Sequence, residues 1–200
     1  VVVPGGLSGL QPALLAWFAG DPAGRRHLPW RRTRDPWSIL VSEVMLQQTQ
    51  VPRVVPAHGA FLARFPTPVA CAEAGAGDVL RAWRGLGYNR RAVNLHRAAA
   101  AIVERHGGRV PRSLVELLAL PGVGGYTARA VLAFAAEADV GVVDTNAARV
   151  LARAVAGRPL GAAEAQRLAD GLVPAGRAWA WNSAVLDLGA TVCTAAVPRC

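Results

Sequence analysis

Two carboxylates stand in contexts that favour opposite protonation states. Glu43 lies inside the apolar run Val-Ser-Glu-Val-Met-Leu. A charged carboxylate is poorly solvated there, so its pKa is expected to rise and it can donate a proton near neutrality. Asp144 precedes Thr145, Asn146 and a clean helical run. As an N-cap it would accept N–H bonds from the next turn, which stabilises its anionic form. Taken alone, this Asp is a structural cap worth about 1 kcal/mol. Two carboxylates held in different states are, together, a division of labour suited to acid-assisted bond cleavage.

A third chemical feature is glycine-rich. Residues 114–136 read as an apolar helix, the turn Pro121-Gly122-Val123-Gly124-Gly125, and a second apolar helix beginning near Tyr126. Gly122, Gly124 and Gly125 permit positive φ and leave no side chain in the way. Successive backbone N–H groups and a helix N-terminus can then face a phosphate oxygen. Such contacts hold a nucleic-acid backbone without reading its sequence. An ordinary turn between two helices has much the same pattern, so this motif needs support from elsewhere in the chain.

The elements that must position these groups are helical. Apolar residues recur at intervals of three and four in LQPALLAWF, WSILVSEVML, AVNLHRAAAAIVERH, YTARAVLAFAA and TNAARVLARAVAG. No stretch alternates convincingly as a strand would. Pro and Gly punctuate at short intervals, which implies about ten helices joined by short loops and an all-α fold. The segment EADVGVVD near residues 137–143 interrupts the helical pattern. It is the expected seam between two helical lobes, one spanning about residues 30–137 and the other about 1–29 plus 138–200, with a ligand cleft between them.

Composition narrows the partner. Of 200 residues, 22 are basic and 13 acidic, which leaves a net charge of +9, and every basic residue other than histidine is arginine. That excess favours a polyanion, with phosphate backbones and anionic membranes the usual candidates. Without lysine, no lysine Schiff base can form. The apolar runs are too short for the ~20 residues a bilayer needs, so a cytoplasmic protein without membrane association is expected. Three cysteines are too few for a disulfide framework. Cys71 reads as a small buried apolar residue, whereas Cys193 and Cys200 stand apart near the C-terminus.

The order of these motifs, LPGVG, a helix, then VVDTN opening another helix, resembles the helix-hairpin-helix DNA glycosylases. LPWR followed by SEVMLQQT resembles their adenine-specific branch, the MutY family. The resemblance covers roughly residues 8–200. It implies a monomeric base-excision repair enzyme, nucleoid-associated in a bacterial cytoplasm, that hydrolyses the N-glycosidic bond of adenine opposite 8-oxoguanine or guanine in double-stranded DNA. Glu43 would protonate the adenine ring, and Asp144 would stabilise or add to the oxocarbenium-like sugar. Asn146 would hold Asp144 or the hydrolytic water. Tyr126 occupies the place where strand-cutting relatives carry Lys, which implies a monofunctional glycosylase without lyase activity. Gln48, Thr49, Leu86 and Tyr88 would contact the duplex, with Gln48, Leu86 and Tyr88 wedging into it as the base leaves. Arg26 and Asp187 would border the adenine pocket, and Trp30 and Arg31 would line it; at position 187 this branch more often has Glu.

The same resemblance assigns Cys193 and Cys200 to the first two thiolates of a [4Fe-4S] loop that needs four, so the cluster is expected to be incomplete or absent in these 200 residues. The family's C-terminal domain that checks for 8-oxoguanine is likewise expected to be missing. Two alternatives remain open at this level. One is a thymine mismatch glycosylase, since that branch also places Tyr after the hairpin. The other is a non-catalytic module gripping phosphates through the hairpin.

Overall fold

The computed structural model describes residues 9–20 and 26–199, and these residues are helical with no strand. They fall into two compact units, Leu28–Ala136 and a second made of Val1–His27 with Glu137–Cys200.

In the first of these units, α2 (Pro36–Leu46) is the central element. It buries every residue from Trp37 to Met45, as an apolar helix must when neighbours surround it. Asp35 caps it by accepting from the amides of Trp37 at 3.3 Å and Ser38 at 2.9 Å, and Pro36 supplies the preset φ of a first helical position. Around it pack α3 (Val51–Arg64), α6 (Arg90–His106) and α8 (Gly125–Ala136). The short helices α4 (Pro68–Glu73) and α5 (Ala76–Ala82) rest on α6. Two of the polar side chains inside this core show how such groups are paired. Trp37 Nε1 donates to the Phe65 carbonyl at 3.0 Å, and His58 Nε2 lies 3.0 Å from the Ser38 carbonyl. Burial pushes the His58 pKa down, opposed by that backbone bond. The Cys71 thiol has no exposure, and burial pushes its pKa up to about 12, so it packs as an inert apolar group.

The helix-hairpin-helix is formed by α7 (Leu114–Leu118) and α8. Ser113 caps α7 through the Glu116 amide at 3.4 Å. The apolar pattern suggested a longer first helix, but α7 ends after five residues as the chain turns towards Pro121. Gly122 has φ 78°, and a Cβ there would stand 2.7 Å from Asn94 Cβ. Glycine is therefore required both for conformation and for space.

In the other unit, α11 (Ala178–Thr191) packs against α1 (Leu10–Gly20) and α9 (Thr145–Val150), with α10 (Ala162–Leu172) alongside. The continuous helix expected over residues 145–157 is α-helical only to Val150 and widens to a π-helix over Leu151–Ala156. That segment closes with the amide of left-handed Gly157 bonding Ala152. Residues 140–143 are non-helical and held from two sides. Asn182 accepts from the Val142 amide at 2.8 Å and donates to the Val140 carbonyl at 3.0 Å. The Gly141 amide donates to Asp170 at 2.8 Å. A Cβ on Gly141 would lie 2.5 Å from Ala169 Cβ, so the close approach to α10 needs a residue without one. No helix among the described residues is long and apolar enough to cross a membrane.

Candidate active site

Glu43 sits midway along α2 and is only 4% exposed. The helix that holds it is fixed at its start by the Asp35 cap and along its flanks by the core described above, so its backbone position is rigid. Gln47 follows and donates from Nε2 to Thr127 Oγ1 on α8 at 3.3 Å. Gln48 is exposed and has φ 58°, a left-handed backbone uncommon outside glycine. Thr49 is buried, donating from Oγ1 to the Leu86 carbonyl at 3.2 Å.

The loop between α5 and α6 carries the other expected duplex contacts. Tyr88 is 62% exposed with φ 48°, whereas Leu86 is 3% exposed. The expectation that Thr49 and Leu86 face a duplex alongside Gln48 and Tyr88 therefore differs from where the structure puts them. Each follows a turn that directs it inward, where Thr49 bridges two loops and Leu86 anchors one. Of the hairpin residues, Gly122, Gly124 and Gly125 are exposed, Val123 is 7% exposed beneath them, and Tyr126 begins the first turn of α8 half-buried. Trp30 and Arg31 lie in the short 3-10 turn Pro29–Arg31. Trp30 is 5% exposed, edge-on to His58 with ring centroids 5.4 Å apart, so it serves the core at least as much as any ligand.

In the unit containing α9, Asp144 is the N-cap of that helix, as the sequence reading anticipated. Its Oδ1 accepts from the Ala147 amide at 2.7 Å and its Oδ2 from Asn146 Nδ2 at 3.0 Å. Both oxygens thus receive donors, which fixes the orientation of the carboxyl group. Asn146 is in turn fixed by Arg149, whose Nη2 donates to Asn146 Oδ1 at 2.7 Å and to the Gly189 carbonyl at 2.6 Å. Arg149 Nε continues to the Cys193 carbonyl at 2.7 Å. A chain of hydrogen bonds therefore runs from Asp144 through Asn146 and Arg149 to the C-terminal loop. Arg26 and Asp187 are also brought together, with Arg26 Nε 2.5 Å from Oδ1 of an Asp187 that has no exposure.

Sequence reasoning missed Arg149 and Gly189. Arg149 stands one helical turn beyond Asn146, a spacing that could have pointed to it. Gly189 carried no signal, because its role depends on a helix distant in sequence. A Cβ at Gly189 would lie 2.8 Å from Asn146 Cβ and 2.9 Å from the Asn146 carbonyl oxygen. Substituting Gly189 with Ala should therefore force α9 and α11 apart and lower stability by about 1–3 kcal/mol, read from denaturant melts. An unchanged midpoint would contradict the close contact.

Cys193 is a buried free thiol, and Cys200 lies outside the described residues. Arg153 Nη1 is 3.7 Å from Cys193 Sγ and 2.8 Å from the Thr194 carbonyl. The loop that carries the Cys193 thiol is thus fastened by two arginines. Among the described residues, no group of three or more His, Cys, Asp or Glu could hold a metal ion.

The chain is similar to known proteins in sequence and in fold. The chain is 51% identical over 191 residues to an adenine DNA glycosylase from Mycolicibacterium smegmatis, matching 94% of this chain and 64% of that one. It is 39% identical over 208 residues to the human adenine DNA glycosylase, of which it spans 38%. The chain thus spans less than two thirds of the length of these relatives. Among solved structures, a thermostable thymine-DNA glycosylase superposes with a TM-score of 0.87 at 30% identity, covering 96% of this chain and 89% of that one. A non-covalent endonuclease III–DNA complex shares the fold, with a TM-score of 0.81 at 22% identity over 97% of this chain and 89% of its own. Residues 41–174, from the helix of Glu43 past the π-helix and through α10, match a single family, and the chain belongs to that family, the HhH-GPD superfamily of base excision DNA repair proteins.

Proposed function

We propose that this chain is the catalytic part of an adenine DNA glycosylase that removes adenine mispaired with 8-oxoguanine or guanine from double-stranded DNA. The observation that carries this reading is the pair of differently housed carboxylates. Glu43 is buried in α2, and Asp144 is held by two donors at the start of α9. Adenine has no electronegative substituent to help it leave, so its excision calls for an acid on the base and an anion near the sugar. Burial favours the neutral form of a carboxyl, which equips Glu43 to protonate a purine nitrogen. Donation from Ala147 and Asn146 fixes both oxygens of Asp144 at the start of α9, which orients its carboxylate to stabilise a cationic sugar. Asn146, aligned by Arg149, is placed to hold that carboxylate or the attacking water.

Tyr126 follows the hairpin where a Schiff-base enzyme would need lysine, and the chain contains none, so the product is an abasic site with the strand intact. Gln48 and Tyr88, exposed on left-handed backbone, are the groups that enter the duplex, while Gly122, Gly124 and Gly125 offer backbone amides to its phosphates and the Val123 amide, bonded to the Leu120 carbonyl at 3.1 Å, holds the turn that presents them. Arg26, Asp187, Trp30 and Arg31 are the residues proposed for the adenine pocket, with Arg26 and Asp187 already ion-paired. Cys193 and Cys200 would supply two of the four thiolates of a [4Fe-4S] cluster in the longer protein. Its contribution would be to order the loop that Arg149 and Arg153 already fasten. The setting is a bacterial cytoplasm, with the protein acting as a monomer at the nucleoid.

The reading is tested by single-turnover excision on duplexes bearing A opposite 8-oxoguanine, A opposite G, T opposite G, and A opposite T, scored with and without alkali. Alkali-dependent breaks at the two adenine mispairs are expected. A second reading, thymine excision, is favoured by the thymine-DNA glycosylase superposition, and breaks at T opposite G would select it. Salt dependence gives an independent check. With a net charge of +9, duplex affinity should fall with a log–log slope of about −0.9 per phosphate neutralised. A flat salt response would remove DNA as the partner under either reading.

A further inference from the structure

Three non-glycine residues among those described have positive φ, and two of them are Gln48 and Tyr88. Gly85 and Gly87 on the Tyr88 loop have φ of 89° and 73° as well. A left-handed backbone at a residue with a side chain is strained and persists only where its surroundings over-determine it. Here a single buried side chain does so. Arg91 is the second residue of α6 and is 9% exposed. Its Nη1 donates to the carbonyls of Val44 at 3.0 Å, Met45 at 2.7 Å and Gln47 at 2.5 Å, the last carbonyls of the helix that bears Glu43. Its Nη2 donates to Thr49 Oγ1 at 2.8 Å and to the carbonyls of Leu86 at 3.1 Å and Gly87 at 3.2 Å. Its guanidinium also lies 5.4 Å from the Tyr88 ring centroid and 5.5 Å from that of Trp83. One planar cation therefore caps the negative end of α2 and fastens two loops some forty residues apart in sequence.

We propose that Arg91 is a positioning residue for base extrusion: it locks the Gln48 turn and the Tyr88 loop together before DNA arrives, so that both enter the duplex as one preformed wedge. The proposal rests on the DNA glycosylase reading. Its physical basis is that flipping a base out of the duplex costs unstacking and unpairing energy, and a wedge already ordered loses no further conformational entropy when it inserts. Lysine cannot substitute, because one ammonium on a flexible stem cannot span both sets of acceptors.

The test compares wild type with Arg91→Lys, Arg91→Met and Thr49→Val on two duplexes, one with adenine opposite guanine and one with adenine opposite an abasic site, where no pair must be broken. Wild-type excision of adenine establishes the underlying reading by itself, and its absence overturns that reading whatever the variants do. For folded Arg91 variants, single-turnover excision opposite guanine should drop by about tenfold or more, with a much smaller drop opposite the abasic site, since only the first substrate carries the full flipping cost. The fluorescence rise of 2-aminopurine opposite guanine on binding, which reports unstacking, should shrink in parallel. Thr49→Val removes only the hydroxyl that bridges Arg91 to the Leu86 carbonyl and should show the same asymmetry at several-fold size. Equal losses on both substrates would mean that Arg91 merely supports the Glu43 helix, and an unaltered fluorescence rise would remove the wedge altogether; either overturns the proposal. Should the Arg91 variants fail to fold, Thr49→Val decides alone, and an unchanged ratio of the two rates overturns it.

Discussion

Replacing Glu43 with Gln is expected to cut single-turnover adenine excision by about 10²- to 10⁴-fold, the span usually contributed by a general acid. The substitution keeps shape and removes the transferable proton, in a helix whose fold does not depend on it. Trp37 to Met45 are buried around the position, and the Asp35 cap and the Trp37–Phe65 bond hold α2 at its start. The far-ultraviolet spectrum and melting temperature should therefore stay close to wild type while the rate falls. The pH profile separates the acid role from simple packing. A donor works only while protonated, so wild-type excision should decline as pH rises through the Glu43 pKa, and the Gln variant should have lost that limb. A Gln variant that retains both rate and profile would remove Glu43 from the chemistry.

Replacing Asp144 with Asn should have the second largest effect, about 10²- to 10³-fold on the same rate, comparable to deleting one preorganised electrostatic group. Asn and Asp are nearly equivalent N-caps, and the Asn oxygen can still accept from the Ala147 amide at the 2.7 Å seen for Asp144 Oδ1. If Asp144 were only a cap, neither rate nor stability would change much. If it stabilises a cationic sugar, the rate should collapse while stability shifts by less than about 1 kcal/mol. Rate and melt measured on one preparation decide between these. A rate within a few-fold of wild type would return Asp144 to a purely structural role.

The settings of both residues, burial in a helix and a helix N-cap, could be read without coordinates because their signals are local. A carboxylate in the middle of an apolar helix and an Asp at a helix start each announce an environment within a few residues, and the LPGVGG turn does the same for the hairpin. Helical spacing likewise fixed the fold class, since nearly every apolar run recurs at three and four and none alternates. Charge, arginine usage and the missing lysine bounded the partner and excluded one mechanism outright.

What tertiary structure alone decided lies in convergence between distant segments. Leu86 and Thr49 read as duplex contacts, yet both are buried, because Arg91 draws their loops inward through the Leu86 carbonyl and the Thr49 hydroxyl, a convergence that no side-chain pattern marks. Arg91 itself looks like one of two adjacent loop arginines, and its function as a clamp exists only where residues 44–49 meet residues 86–87. Gly189 is one glycine among many until α9 is laid against it, and Arg149 becomes a link to the Cys193 loop only through that same packing. Residue type and spacing along the chain are local quantities that a sequence displays. Steric clearance and the targets of backbone carbonyls depend on which helices meet, and only the folded chain specifies that.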